Sequence, residues 1–255
     1  MNGRSDGAFG ARVSIDGVQK RYDGAEGPVQ ALDDVSFDVS DGEFVCIVGS
    51  SGCGKTTLFR IIAGLESATE GDVLLNGTRV DGPTPDTGVV FQEYHLFPWR
   101  TVRGNVGFGL ENSDGDAERR RRVGELVDLV GLDGFGDSYP KDLSGGMKQR
   151  VAIARALAVD PDLLLMDEPF GAVDAQTREM LQRELLDIWT ETGKTVLFVT
   201  HDVEEALKLA DRIVVLSKSP GHIREVLDVD LERPRSRSDP EFGAHYERVL
   251  DLIRE

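Results

Sequence analysis

The chain has 255 residues, and 46 acidic against 29 basic side chains leave it a formal charge of −17. That sign excludes simple electrostatic binding to nucleic acid or to an anionic lipid surface, because both partners are negative too. A hydrophobic share of 40% is enough for a buried core, while the longest apolar runs, residues 44–48 and 163–166, fall far short of the roughly 20 residues of a membrane-spanning helix.

Residues 1–11 are polar and Gly-rich with no apolar segment of a secretory signal, so they read as a disordered tail on a cytoplasmic chain. Val35, Phe37 and Val39 then recur with period two, and Asn76-Gly77 separates Val73-Leu74-Leu75 from Val80 as a hairpin turn would. The N-terminal third is therefore expected to form a small antiparallel sheet. Residues 44–48, 163–166, 196–199 and 213–216 are short, continuously apolar runs of the kind that make buried parallel strands. Helical spacing appears over residues 55–63, with Leu58, Phe59 and Ile62 inward and Gly64 as the stop. It returns over 176–189, where Leu181, Leu185 and Trp189 fall a turn apart, and again at Val203, Ala206, Leu207 and Ala210.

Alternating strands and helices imply an open α/β sheet covered on both faces. Residues 96–155 break the alternation: they lack a strong strand, carry a polar loop at 112–116, and show helical patterns at 118–130 and 146–157. This stretch reads as an inserted helical subdomain. The four arginines at 119–122 point round the whole helix and form a solvated face. Cys46 and Cys53 are the only cysteines, suited to reduced thiols and too few for a metal cluster. Seven lysines, 22 arginines and 27 aspartates make a surface suited to concentrated salt, where carboxylates hold water and screening removes their repulsion.

The chemistry begins after the run at 44–48. Gly49-Ser50-Ser51-Gly52-Cys53-Gly54-Lys55-Thr56-Thr57 satisfies G-x-x-x-x-G-K-[ST] in a strand-loop-helix setting. Glycines let backbone N–H groups turn inward around a triphosphate, and the following helix adds its positive end. Lys55 would reach the β- and γ-phosphates and the Thr56 hydroxyl would ligate Mg²⁺. The run at 163–166 ends in Asp167-Glu168. Asp167 fits a Mg²⁺-supporting role and Glu168 fits polarising the attacking water; as strand neighbours they should point to opposite sides.

With Leu143-Ser144-Gly145-Gly146-Met147-Lys148-Gln149-Arg150 added, the chain resembles the ATP-binding subunit of an ABC transporter over nearly all of residues 12–220. The resemblance implies an α/β P-loop NTPase (RecA-like) core, an N-terminal antiparallel β subdomain, a helical subdomain at about 96–155 and a C-terminal extension at 221–255. It implies ATP and Mg²⁺ as cofactors and a homodimer formed on ATP binding. In that dimer Ser144, Gly145 and Gly146 of one subunit would close on nucleotide held by the other. It further implies that Gln92 senses Mg²⁺ and the attacking water, that Asp174 communicates across the dimer, that His201 contacts the γ-phosphate, and that Tyr22 stacks on adenine. For Tyr22 a core position is the rival reading. His95, His222 and His245 read as surface or packing residues.

Residues 94–102 and the tail at 233–242 resemble the nitrate, sulfonate and taurine import branch of the family. Phe97 and Trp99 would then contact an integral-membrane permease or pack within the helical subdomain. The chain would sit at the cytoplasmic face of the membrane through that permease and act indirectly with an extracytoplasmic solute-binding protein, without lipid insertion. Another transport system, including an exporter, stays open. A nucleic-acid ATPase would need a coiled-coil insertion or basic faces, and a non-hydrolysing regulator would not need Glu168 and His201 together.

Overall fold

The computed structural model describes residues 11–24, 27–111, 115–171 and 173–254; residues 1–10 of the expected tail, 112–114 of the expected polar loop and Ala172 lie outside the described residues. Two compact units emerge, one joining the chain up to Thr84 with that from Thr195 onward, the other covering Pro85–Lys194.

The first unit contains β1 (Ala11–Gly24), β2 (Gly27–Ser40), β3 (Phe44–Gly49), α1 (Lys55–Ile62), β4 (Glu70–Leu75) and β5 (Thr78–Arg79). Its later elements are β8 (Thr195–Thr200), α6 (Val203–Leu209), β9 (Arg212–Leu216), β10 (Ile223–Asp228) and α7 (Pro240–Arg254). Strands β2, β1, β4 and β5 pair in that order as the expected antiparallel sheet. In β2 the alternation is literal, with Val35, Phe37 and Val39 buried between exposed neighbours. Asn76 and Gly77 both have positive φ, 51° and 75°, as a two-residue turn with right-handed twist requires.

Strand β3 is buried at all six positions and runs parallel to both β8 and β9, while β10 is antiparallel to β9. Burying side chains such as Phe44, Ile47 and Phe198 contributes about 1.5–3 kcal/mol each. Helix α1 buries Leu58, Phe59, Ile61 and Ile62, and Gly64 follows at φ 68°. Helix α7 buries Phe242, Val249 and Leu252, and packs on α6 and β9.

The second unit contains β6 (Thr87–Val90), α2 (Val102–Val106), α3 (Asp116–Leu129), α4 (Gly145–Ala158), β7 (Leu163–Asp167) and α5 (Ala175–Thr192). Strands β6 and β7 are parallel, and α4 packs against α2, α3, α5 and β6. Helix α5 ends at Gly193 with φ 61°, and its buried stripe is Leu181, Leu185 and Ile188, so Ile188 takes the inward place expected of Trp189. Asn105 is fully buried, yet it accepts from Phe97 N at 2.8 Å and donates to the carbonyls of Phe97, Arg100 and Thr101 at 3.0–3.2 Å. One satisfied amide thus fixes the path of residues 97–101 ahead of α2.

Candidate functional site

In the first unit the loop after β3 turns through Gly52 and Gly54 at φ 78° and 97°, left-handed conformations that glycine adopts without strain. A Cβ at Gly54 would stand 2.7 Å from Leu32 and 2.8 Å from the Ala31 carbonyl, so β2 presses the loop into shape. Lys55 is only 6% exposed, and its Nζ donates to the carbonyls of Gly49 at 2.8 Å and Ser50 at 3.1 Å. Ser50 Oγ is buried with no hydrogen-bond partner among the described residues. Ser51, Gly52 and Thr56 are exposed at the rim, beside the N-terminus of α1. An orphan hydroxyl, a buried ammonium held by neutral carbonyl acceptors and the positive end of α1 suit a phosphate oligoanion.

Tyr22, 38% exposed, places Oη 3.4 Å from Thr57 Oγ1, so it borders the loop and is not a core residue. The register of β3 on β8 pairs Val48 with Thr200, which brings Gly49 and His201 off the same sheet end. Both cysteines are buried and free, and burial, helped by the charge of Glu205, pushes the Cys46 thiol up. Gly221 escaped the sequence reading. A Cβ there would lie 2.1 Å from the Cys53 carbonyl, so its backbone seals the rear of the phosphate loop. No motif surrounds it, and only its close approach reveals it.

In the second unit β6 and β7 pair Val90 with Met166, which leaves Gln92 and Glu168 each two residues beyond the paired strand ends. Glu168 has φ 43°, so the pleat stops at Asp167; a left-handed residue, not strand alternation as expected, separates the two carboxylates. A Cβ on Gly171 would stand 3.1 Å from Gln92 Nε2, and Gly171 N donates to Glu168 O at 3.1 Å.

Ser144 caps α4 by accepting from Met147 N at 3.3 Å. A Cβ on Gly146 would touch Thr177 at 3.3 Å, and one on Gly145 would lie within 3.7 Å of Tyr94 Oη and Val173. Asp174 caps α5, accepting from Gln176 N at 3.1 Å, Thr177 N at 3.0 Å and Thr177 Oγ1 at 2.6 Å. The Thr177 hydroxyl, then its amide, hold the Asp174 carboxyl below the usual range. Within this unit Gly171 thus links Gln92 to Glu168, and Thr177 links Asp174 to the 144–146 turn.

Phe97 packs on Phe108, with ring centroids 4.6 Å apart, while Trp99 is 71% exposed. His222 Nδ1 lies 2.8 Å from Ser217 Oγ, a packing role, whereas His95 is exposed.

A family model described as ABC transporter matches residues 32–171. The chain belongs to the ABC transporter family. An uncharacterised ABC transporter ATP-binding protein of Methanocaldococcus jannaschii is 51% identical across 96% of this chain and 92% of its own length. The aliphatic sulfonates import ATP-binding protein SsuB of Bacillus cereus is 48% identical across 93% of this chain and 94% of its own. A bacterial ABC transporter cassette solved as a dimer superposes with a TM-score of 0.75 at 35% identity, covering 86% of this chain and all of that one. That cassette is also known as a dimer in a post-hydrolysis state bound to ADP and Pi. This chain is accordingly an ABC transporter ATPase subunit with a P-loop NTPase fold.

Proposed function

We propose that this ATPase powers import of a small anion, such as nitrate, an aliphatic sulfonate or taurine, through a separate membrane permease. The observation that carries the cargo class is 48% identity to a sulfonate import ATPase along 93% of the chain, in company with the tail at 233–242. The working unit is a homodimer closed by ATP, each subunit offering its 144–146 turn to nucleotide on the other's phosphate loop; the dimeric cassette at 35% identity supports this. The permease holds the pair at the cytoplasmic face, and a solute-binding protein delivers cargo from outside.

In this reading Gly49 to Thr57 hold the phosphates, Lys55 Nζ exchanging its carbonyl acceptors for phosphate oxygens, and Tyr22 stacks on adenine. Thr56, Asp167 and Gln92 each carry a hard oxygen donor of the kind Mg²⁺ takes and would hold the ion. Mg²⁺ would neutralise charge on the phosphates. Glu168 accepts a proton from the attacking water, His201 donates to the γ-phosphate, and Asp174 relays closure from its cap on α5. The domain then spans 12–220, with 221–255 as an extension. Purifying the chain with its membrane partners and its solute-binding protein tests the proposal. The binding protein should take nitrate, a sulfonate or taurine; one that takes only sugars or metal ions would overturn the cargo class.

A further inference from the structure

Helix α6 follows His201 and has seven residues, too short to hold its own shape. At its start Asp202 accepts from Glu204 N at 2.9 Å and Glu205 N at 3.2 Å, while Thr200 Oγ1 donates to Glu205 at 2.6 Å in a buried bond. His201 thus sits between two residues that are both tied to α6, and any shift of the helix moves it.

The C-terminal carbonyls of α6 are taken up by the tail. Arg235 Nη1 donates to Leu207 O at 2.7 Å and Ala210 O at 2.5 Å, and its remaining donors reach Val229 O at 2.9 Å and Leu231 O at 2.8 Å. Arg233 donates to Leu209 O at 2.6 Å and Asp211 at 2.8 Å. Asp211 accepts from Phe44 N at 3.0 Å, at the start of the strand that leads into the phosphate loop. At the other end of α6 Arg237 pairs with Glu204 at 2.9 Å. A half-buried guanidinium spent wholly on backbone carbonyls is a fork with fixed geometry, which an apolar tail could not supply.

We propose that residues 233–237 clamp α6 and thereby aim His201, making Arg233, Arg235 and Arg237 positioning residues for ATP hydrolysis. The proposal rests on the reading of His201 as the γ-phosphate contact.

A double-mutant cycle on the full chain separates the two. Arg235→Ala should lower kcat about tenfold while the KM for ATP stays within about twofold, and Arg235→Lys should recover part of the loss, since an ammonium caps a carbonyl without forking. In a His201→Ala background Arg235→Ala should have no further effect. Equal losses in both backgrounds, a loss confined to KM, or no rescue by Lys would overturn the clamp. Wild-type kcat in His201→Ala would overturn the reading of His201, and the clamp with it. Should melting curves show Arg235→Ala unfolded, Arg237→Ala carries the same cycle at the surface, with an expected loss of about threefold in the parent and none in His201→Ala.

Discussion

Asp174, the residue proposed to relay closure, also holds a helix end together. Its carboxylate caps α5 through Gln176 and Thr177 while facing the 144–146 turn's neighbours. Its folded pKa is depressed, first by the Thr177 hydroxyl. Stability from the cap is therefore present above the unfolded carboxyl value, about 3.9, and lost as pH falls through the lower folded value. The melting gap between wild type and Asp174→Ala should be constant from about pH 8 to 5 and close below about pH 4. A gap that widened in acid would show that the carboxylate is not the cap. Nothing in the sequence near Asp174 reveals Thr177 as its partner beyond the three-residue spacing, whereas the phosphate-loop residues were legible because glycine and lysine spacing states the chemistry directly. Glu168 was legible as a carboxylate but not as a left-handed residue, because the strand pattern gives no sign of where the pleat ends.

Among elements, the apolar runs that became β3, β7, β8 and β9 were readable because strands buried on both faces must be apolar throughout. Strand β1 has register shifts against both β2 and β4, which break its alternation, and β10 is half-buried from Ile223 to Leu227 with no inward–outward alternation, so neither announces itself. The turn between β4 and β5 was readable. Gly77 has open space where a Cβ would go, so Gly77→Ala tests backbone strain alone and should lower stability by about 1–2 kcal/mol in a denaturant titration. An unchanged midpoint would mean that the turn relaxes freely. Gly221 makes the opposite case, a steric one: its Cβ would meet the Cys53 carbonyl at 2.1 Å. Gly221→Ala should displace the phosphate loop and raise the KM for ATP by about tenfold or more. Unaltered ATP kinetics would remove Gly221 from the site.

Across the whole molecule the surplus of acid is the dominant electrostatic fact. At −17 self-repulsion opposes the compact state, and surface ion pairs such as Arg79 with Asp72 recover little of it. Salt shrinks the screening length to about 3 Å at 1 M, so the melting temperature should climb steadily from low salt to about 2 M KCl. A maximum at low salt would end the idea of a salt-adapted surface. The same repulsion opposes the approach of two copies of this chain, and in the proposed mechanism closure would be drawn by nucleotide bridging the phosphate loop of one and the 144–146 turn of the other. Glu168→Gln should trap that state, since it keeps the proposed binding groups and removes the proposed proton acceptor. Sedimentation of Glu168→Gln with ATP and Mg²⁺ tests this most directly. A dimer that returns to monomer without nucleotide, or on adding Ser144→Arg, is the expected result; a monomer under every nucleotide condition would contradict the mechanism.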